Sequence, residues 1–162
     1  MTNHKHNSVE RKHLYHITQN SVPENKFTWQ PKISGRNRCE FEPKIPRICF
    51  STSLSGCFVT LGDCLKPNKD IFVLKTVLPV NYYTPTLKEV LDAEITGEVW
   101  RLKPVKLQCV SIISSQQLQK QDVDIYDYLS FNPGIQDNLS WQKTAKSVIY
   151  KIIRKFNLQE IL

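Results

Sequence analysis

One stretch constrains this chain more than any other: Ile45-Pro46-Arg47-Ile48-Cys49-Phe50-Ser51-Thr52-Ser53-Leu54-Ser55-Gly56-Cys57-Phe58. Arg47 to Ser51 follows a proline with a run of β-formers and reads as a short strand. Leu54, Phe58 and Leu61 then recur at helical spacing, which predicts a helix over 54–65. The strand therefore enters the helix through three consecutive hydroxyl residues. Either Ser51, Thr52 or Ser53 caps the helix by accepting a hydrogen bond from its first free N–H groups, or the hydroxyls hold a ligand at the junction.

The remaining pattern sets the fold class. Lys12 to Ile17 alternates and reads as a first strand, with Leu14 and His16 on one face. Residues 19–44 are rich in turn formers and read as a long loop, in which Lys26, Lys32, Arg36 and Arg38 accompany Phe27 and Trp29. Ile71 to Val77 is apolar enough for a central strand. Thr86 to Leu91 reads as about one helical turn. Ala93 to Leu102 reads as a strand interrupted at Gly97, with Glu94, Thr96, Glu98 and Trp100 on one face. Val105 to Ile113 alternates as a half-buried strand should. Consecutive late strands without crossover helices predict an α+β fold rather than a doubly wound sheet.

Residues 1–11 read as a disordered tail and 12–162 as a single domain. Within it, 113–139 is a polar connection. Ser140 then caps an amphipathic C-terminal helix over 140–157, whose apolar stripe includes Val148, Ile149, Ile152, Ile153 and Phe156.

Charge and cysteines narrow the function classes. The net charge is +7, and residues 1–48 hold nine basic against four acidic side chains. That excess suits an anionic partner or a solvated basic surface. No run of ~18 apolar residues is present, which excludes a helical membrane span, and the polar start resembles no secretory signal. A cytoplasmic protein is the expectation. The five cysteines lack a CxxC pair and read as reduced thiols. A metal site would recruit His13, His16 and Cys39, which lack the close ligand pairs of structural zinc sites, so no metal is expected.

Three short motifs stand out in their order. They are Leu14-Tyr15-His16-Ile17-Thr18 on the first strand, Phe50-Ser51-Thr52-Ser53 at the strand-to-helix junction, and Ile95-Thr96-Gly97-Glu98-Val99-Trp100 late in the sheet. In this order the chain resembles the ADP-ribosyltransferase superfamily, over about residues 12–113. The resemblance implies a split mixed or antiparallel β-sheet with an early helix after the second strand. It also implies NAD as cofactor and a protein or nucleic-acid acceptor. By the same resemblance Glu98 and His16 are catalytic, and His16, Thr18, Phe50, Ser51, Thr52 and Ser53 bind the cofactor. His16 would hydrogen-bond the ribose, Ser51 and Thr52 would line the nicotinamide side, and Ser53 would orient Glu98 or cap the helix.

The residue types suit that chemistry. Breaking the ribose–nicotinamide bond builds positive charge on the sugar, which a fixed carboxylate stabilises. Three departures from the family pattern qualify it. Thr96 stands where arginine-modifying members carry Glu or Gln. The aromatic that would stack on nicotinamide is Phe50, Tyr82 or Tyr83. Glu94 competes with Glu98 for the catalytic role, although Gly97 beside Glu98 offers close backbone approach. Two other outcomes stay open: an inactive binding or inhibitor protein of the same fold, and an NAD hydrolase or RNA 2′-phosphotransferase, for which Arg36, Arg38 and Arg47 supply charge. Toxin, anti-defence factor and regulatory enzyme are all roles open to such a chain.

Overall fold

A computed structural model of the chain describes residues 11–33, 43–61, 65–66, 68–90, 93–119 and 150–161. The strands are β1 (Tyr15–Thr18), β2 (Lys26–Trp29), β3 (Ile48–Ser51), β4 (Ile71–Thr76), β5 (Glu98–Arg101) and β6 (Val105–Ile113). They form one sheet in the order β2-β6-β4-β1-β3-β5, and every pairing is antiparallel. The helices are α1 (Leu54–Leu61), α2 (Ala93–Thr96), α3 (Ser115–Gln119) and α4 over 150–155, followed by a tight turn at Leu158–Ile161. The architecture is α+β with few helices, as the sequence predicts.

Two elements differ from expectation. The long segment before Lys44 contains a strand, β2, so α1 follows the third strand in the chain and not the second. Lys26 to Trp29 pairs along β6 as a sheet edge. Its alternation of exposed and half-buried residues is short and flanked by turn formers, which hid it. Residues 93–96 are helical, so Glu94 does not share a strand face with Glu98. Gly97 ends that helix with φ +61°, the left-handed conformation that closes a helix C-terminus and favours glycine.

The sheet is curled. The β4–β6 register shifts between Val73 and Leu74, and a bulge of this kind bends a strand and increases its twist. Beyond β2, Lys32 and Arg47 exchange both backbone hydrogen bonds, 3.2 and 3.0 Å, so the segment after β2 closes on the start of β3. In a flat sheet β2 and β1 would stand three strand spacings, ~14 Å, apart. The Trp29 ring nevertheless meets the His16 ring at 4.8 Å.

Curling gives the sheet an inner and an outer face. Leu14, Ile48, Phe50, Leu74, Val99, Val105 and Leu107 fill the inner one, with Phe27 and Trp29 packed against them. Tyr15, Ile17, Ile71, Val73 and Ile113 form the outer one, covered by Leu54, Cys57 and Phe58 of α1 and by Ile152, Ile153 and Leu158. Apolar side chains on both faces explain why β4 reads as a nearly continuous hydrophobic run. The described part of the C-terminal helix thus docks its stripe on the domain. The tail at 1–10, Arg36, Arg38, Cys39, the 120–139 connection and the helix start at 140–149 lie outside the described residues.

One junction in the sheet is thin. β1 shares four residue pairs with β4, and β3 shares four with β5. β1 and β3 share a single pair, Tyr15↔Ser51.

Candidate functional site

That thin junction is where the three motifs meet. β1, β3 and β5 are neighbours in the sheet. Beyond the Tyr15↔Ser51 pair the seam is bridged by a side chain: His16 Nδ1 lies 2.9 Å from the Cys49 carbonyl oxygen. A carbonyl only accepts, so Nδ1 carries the proton, and in the neutral ring Nε2 is left as an acceptor. Burial pulls the His16 pKa below its ordinary value, with the carbonyl bond opposing the shift. The ring packs edge-on against Trp29 and Phe50, at 4.8 and 6.1 Å between centroids.

The three hydroxyl residues have separate local tasks. Ser53 is the helix cap: its Oγ accepts a hydrogen bond from the Gly56 N–H at 3.1 Å, the third residue of the first turn. Ser51 is buried, donates to the Thr96 carbonyl at 3.0 Å and accepts from the Ser53 N–H at 3.2 Å. It ties the end of β3 to the end of α2, two residues before Glu98. Thr52 donates its backbone N–H to the Gly97 carbonyl at 3.4 Å. A Cβ built on Gly56 would overlap the Thr96 carbonyl oxygen and Ser51 Oγ, so glycine is what lets α1 approach this knot.

Glu98 sits next to the knot, opposite Ser51 in the β3–β5 register. Its backbone N–H reaches Thr96 Oγ1 at 3.3 Å. Its Oε1 accepts the Trp100 indole N–H at 2.6 Å, a short, charge-assisted contact. Trp100 is fully buried. The Arg47 guanidinium lies 4.2 Å above its ring and Tyr83 stacks on it at 5.5 Å. Burial, then the charge of Glu98, push the Cys49 thiol up to about 12, with the Arg47 charge acting the other way.

Between β1, β3 and α1 lies a slot lined by Tyr15, His16, Cys49, Phe50, Ser51 and Glu98, with Ile17, Cys57 and Thr60 completing it; its volume is about 80 Å³. An engineered cavity of about 150 Å³ holds a benzene ring, so the slot takes part of a ring as it stands. Of the residues singled out in the sequence, His16, Phe50, Ser51 and Glu98 converge here. Thr18, Thr52 and Ser53 do not line it, and the Thr18 hydroxyl accepts the Asn20 N–H at 3.1 Å in the turn after β1. Tyr83 is committed elsewhere, with its hydroxyl on both Glu89 oxygens at 2.9 and 2.7 Å, and Tyr82 packs against the inner core.

Several participants escaped sequence reasoning. Trp29 contacts His16 only because the sheet curls. Arg47, read from sequence as a cation for an anionic ligand, is buried over Trp100. Trp100 shares a strand face with Glu98, and that spacing was the available signal for their hydrogen bond. Among the described residues, no group of three or more His, Cys, Asp or Glu is placed to hold a metal ion, and no helix is long and apolar enough to cross a membrane. The chain matches no protein-family model, no curated protein and no solved structure.

Proposed function

We propose that the chain is an ADP-ribosyltransferase-like protein that takes the nicotinamide–ribose end of NAD at the β1–β3 seam and modifies a protein or nucleic-acid acceptor. The observation that supports this reading is convergence. Three motifs dispersed over 80 residues of sequence occupy three adjacent strands, and His16, Ser51 and Glu98 line one slot. The single pair between β1 and β3 also suits a sheet that divides at the ligand.

The residues fit one end of the cofactor. NAD supplies an ADP-ribosyl group whose bond to nicotinamide breaks with positive charge developing on the ribose. The Glu98 carboxylate stabilises that charge and accepts a ribose hydroxyl. Neutral His16 accepts a second hydroxyl through Nε2, while its Nδ1–H keeps the ring fixed on Cys49. Phe50, which lines the slot with Tyr15, offers the stacking face. Ser51 acts as a positioning residue, because it fixes the Thr96 carbonyl from which Glu98 follows. Admitting a whole ring requires the slot to widen beyond its volume of about 80 Å³.

A specific observation also favours a second reading, an inactive binding or inhibitor protein on the same scaffold. The slot is narrow, and the Trp100 indole already holds one Glu98 oxygen. Incubating the protein with NAD labelled on the adenylate side, alone and in lysate, separates the two. Acceptor labelling that falls by ~10²–10³ in Glu98→Ala, and falls also in His16→Ala, supports transfer. Nicotinamide release without labelling supports NAD hydrolysis. Absence of NAD binding at millimolar concentration overturns the transferase reading and leaves the binding protein.

A further inference from the structure

A second pocket lies at the other end of β5. Arg11, Asn81, Tyr82, Tyr83, Arg101 and Lys103 supply most of its walls, and its volume is about 490 Å³. That is within the range of about 300–1,000 Å³ usual for small-molecule sites. Among the described residues three cations line it, and no carboxylate does. Arg101 donates one guanidinium N–H to the Asn81 carbonyl at 3.0 Å. Its Nε is buried and has no hydrogen-bond partner among the described residues. Burial, and after it the charge of Arg11, draw the Arg101 pKa below the ordinary arginine value.

Two guanidinium groups that share one pocket repel each other, and an anion with several oxygens relieves both that repulsion and the unmet donor. The planar fork of arginine matches phosphate in particular. Tyr82 and Tyr83 add aromatic surface of the kind on which bases stack. We infer that this pocket binds the phosphates of a nucleotide, free or within a single RNA strand, with Arg101 and Arg11 as the forks and Lys103 as a point charge. The site does not rest on the transferase reading. Arg101 lies three residues from Glu98, roughly 10 Å along the strand, and projects from the opposite face.

Titration of the full chain with ATP, with pyrophosphate and with a short oligouridine tests it. Arg101→Gln should weaken ATP binding about ten- to hundredfold, the loss expected for a charge-assisted contact. Arg11→Gln should weaken it too, yet leave the melting temperature without ligand unchanged or higher, because a repulsion has gone. A merely structural Arg11 would lower it. Tighter oligouridine binding, with a log–log salt slope of about −2 for three neutralised phosphates, identifies the strand as the source; tighter ATP binding identifies the free nucleotide. No binding of any probe at millimolar concentration, or undiminished binding in Arg101→Gln, would overturn the inference.

Discussion

Gly56→Ala tests the packing on which the site depends. In an isolated helix the change would be favourable by about 1 kcal/mol, since alanine is the better helix former. Here the added methyl overlaps the Thr96 carbonyl oxygen and Ser51 Oγ. Forcing a methyl into a closed site costs about 1–3 kcal/mol. Displacing Ser51 from Thr96 leaves buried polar atoms unmet, for about 1–3 kcal/mol more. The opposing terms give a net loss of ~1–5 kcal/mol, a large share of the ~5–15 kcal/mol typical of a domain. Urea unfolding followed by circular dichroism reads this directly, and the melting temperature should fall by roughly 2–20 °C. In a Ser51→Ala background one of the two overlapping atoms is gone, so the penalty should shrink. A Gly56→Ala protein as stable as the parent, or more stable, would refute the close approach of α1 to Thr96.

Three further outcomes follow from local contacts. Ser53→Ala should cost ~1 kcal/mol in the same assay through loss of the α1 cap, and Ser53→Asp should restore most of it. His16 titrates below its ordinary 6.5 when folded, so the unfolded chain takes up the proton first. Its contribution to stability is present above about pH 6.5 and is lost as pH falls from there towards the depressed folded value, and His16→Gln should flatten urea midpoints in that window. The Cys49 and Cys57 thiols are each pushed up to about 12, chiefly by burial; iodoacetamide at pH 8 should spare both in the native protein and modify both in urea, as read by peptide mass spectrometry.

Much of the fold was legible because its strands obey simple periodicity. Ile71 to Val77 reads as a central strand, and β4 lies between β6 and β1. Val105 and Leu107 alternate with Lys106 and Gln108 as a half-covered strand requires. The failures have local causes. Lys26 to Trp29 is held by pairing to β6, a tertiary effect that four residues with a single alternation do not encode. Glu94-Ile95-Thr96 carries β-branched residues in a helix one turn long, where Gly97 as the terminator was a stronger signal than propensity. Within the site, the resemblance grouped His16, Ser51 and Glu98, and the sheet order sets their strands side by side. Which hydroxyl caps the helix and which ties Thr96 was undecided, because all three have the same chemistry and only backbone direction separates them.

The single pair at Tyr15↔Ser51 has a mechanical consequence. Backbone hydrogen bonds join β2, β6, β4 and β1 into one plate and β3 with β5 into another; among the described residues the plates are tied at the Tyr15↔Ser51 pair and at the Lys32–Arg47 exchange. Most of the clamp is apolar packing: α1 against Tyr15 and Ile17 on one side, and Leu14 with Leu74 against Ile48 and Phe50 on the other. Hydrophobic contact weakens on cooling, and packing defects yield to pressure. Cold and compression should therefore part this domain along the seam before they unravel either ladder, so that amide exchange separates it into two cooperative units.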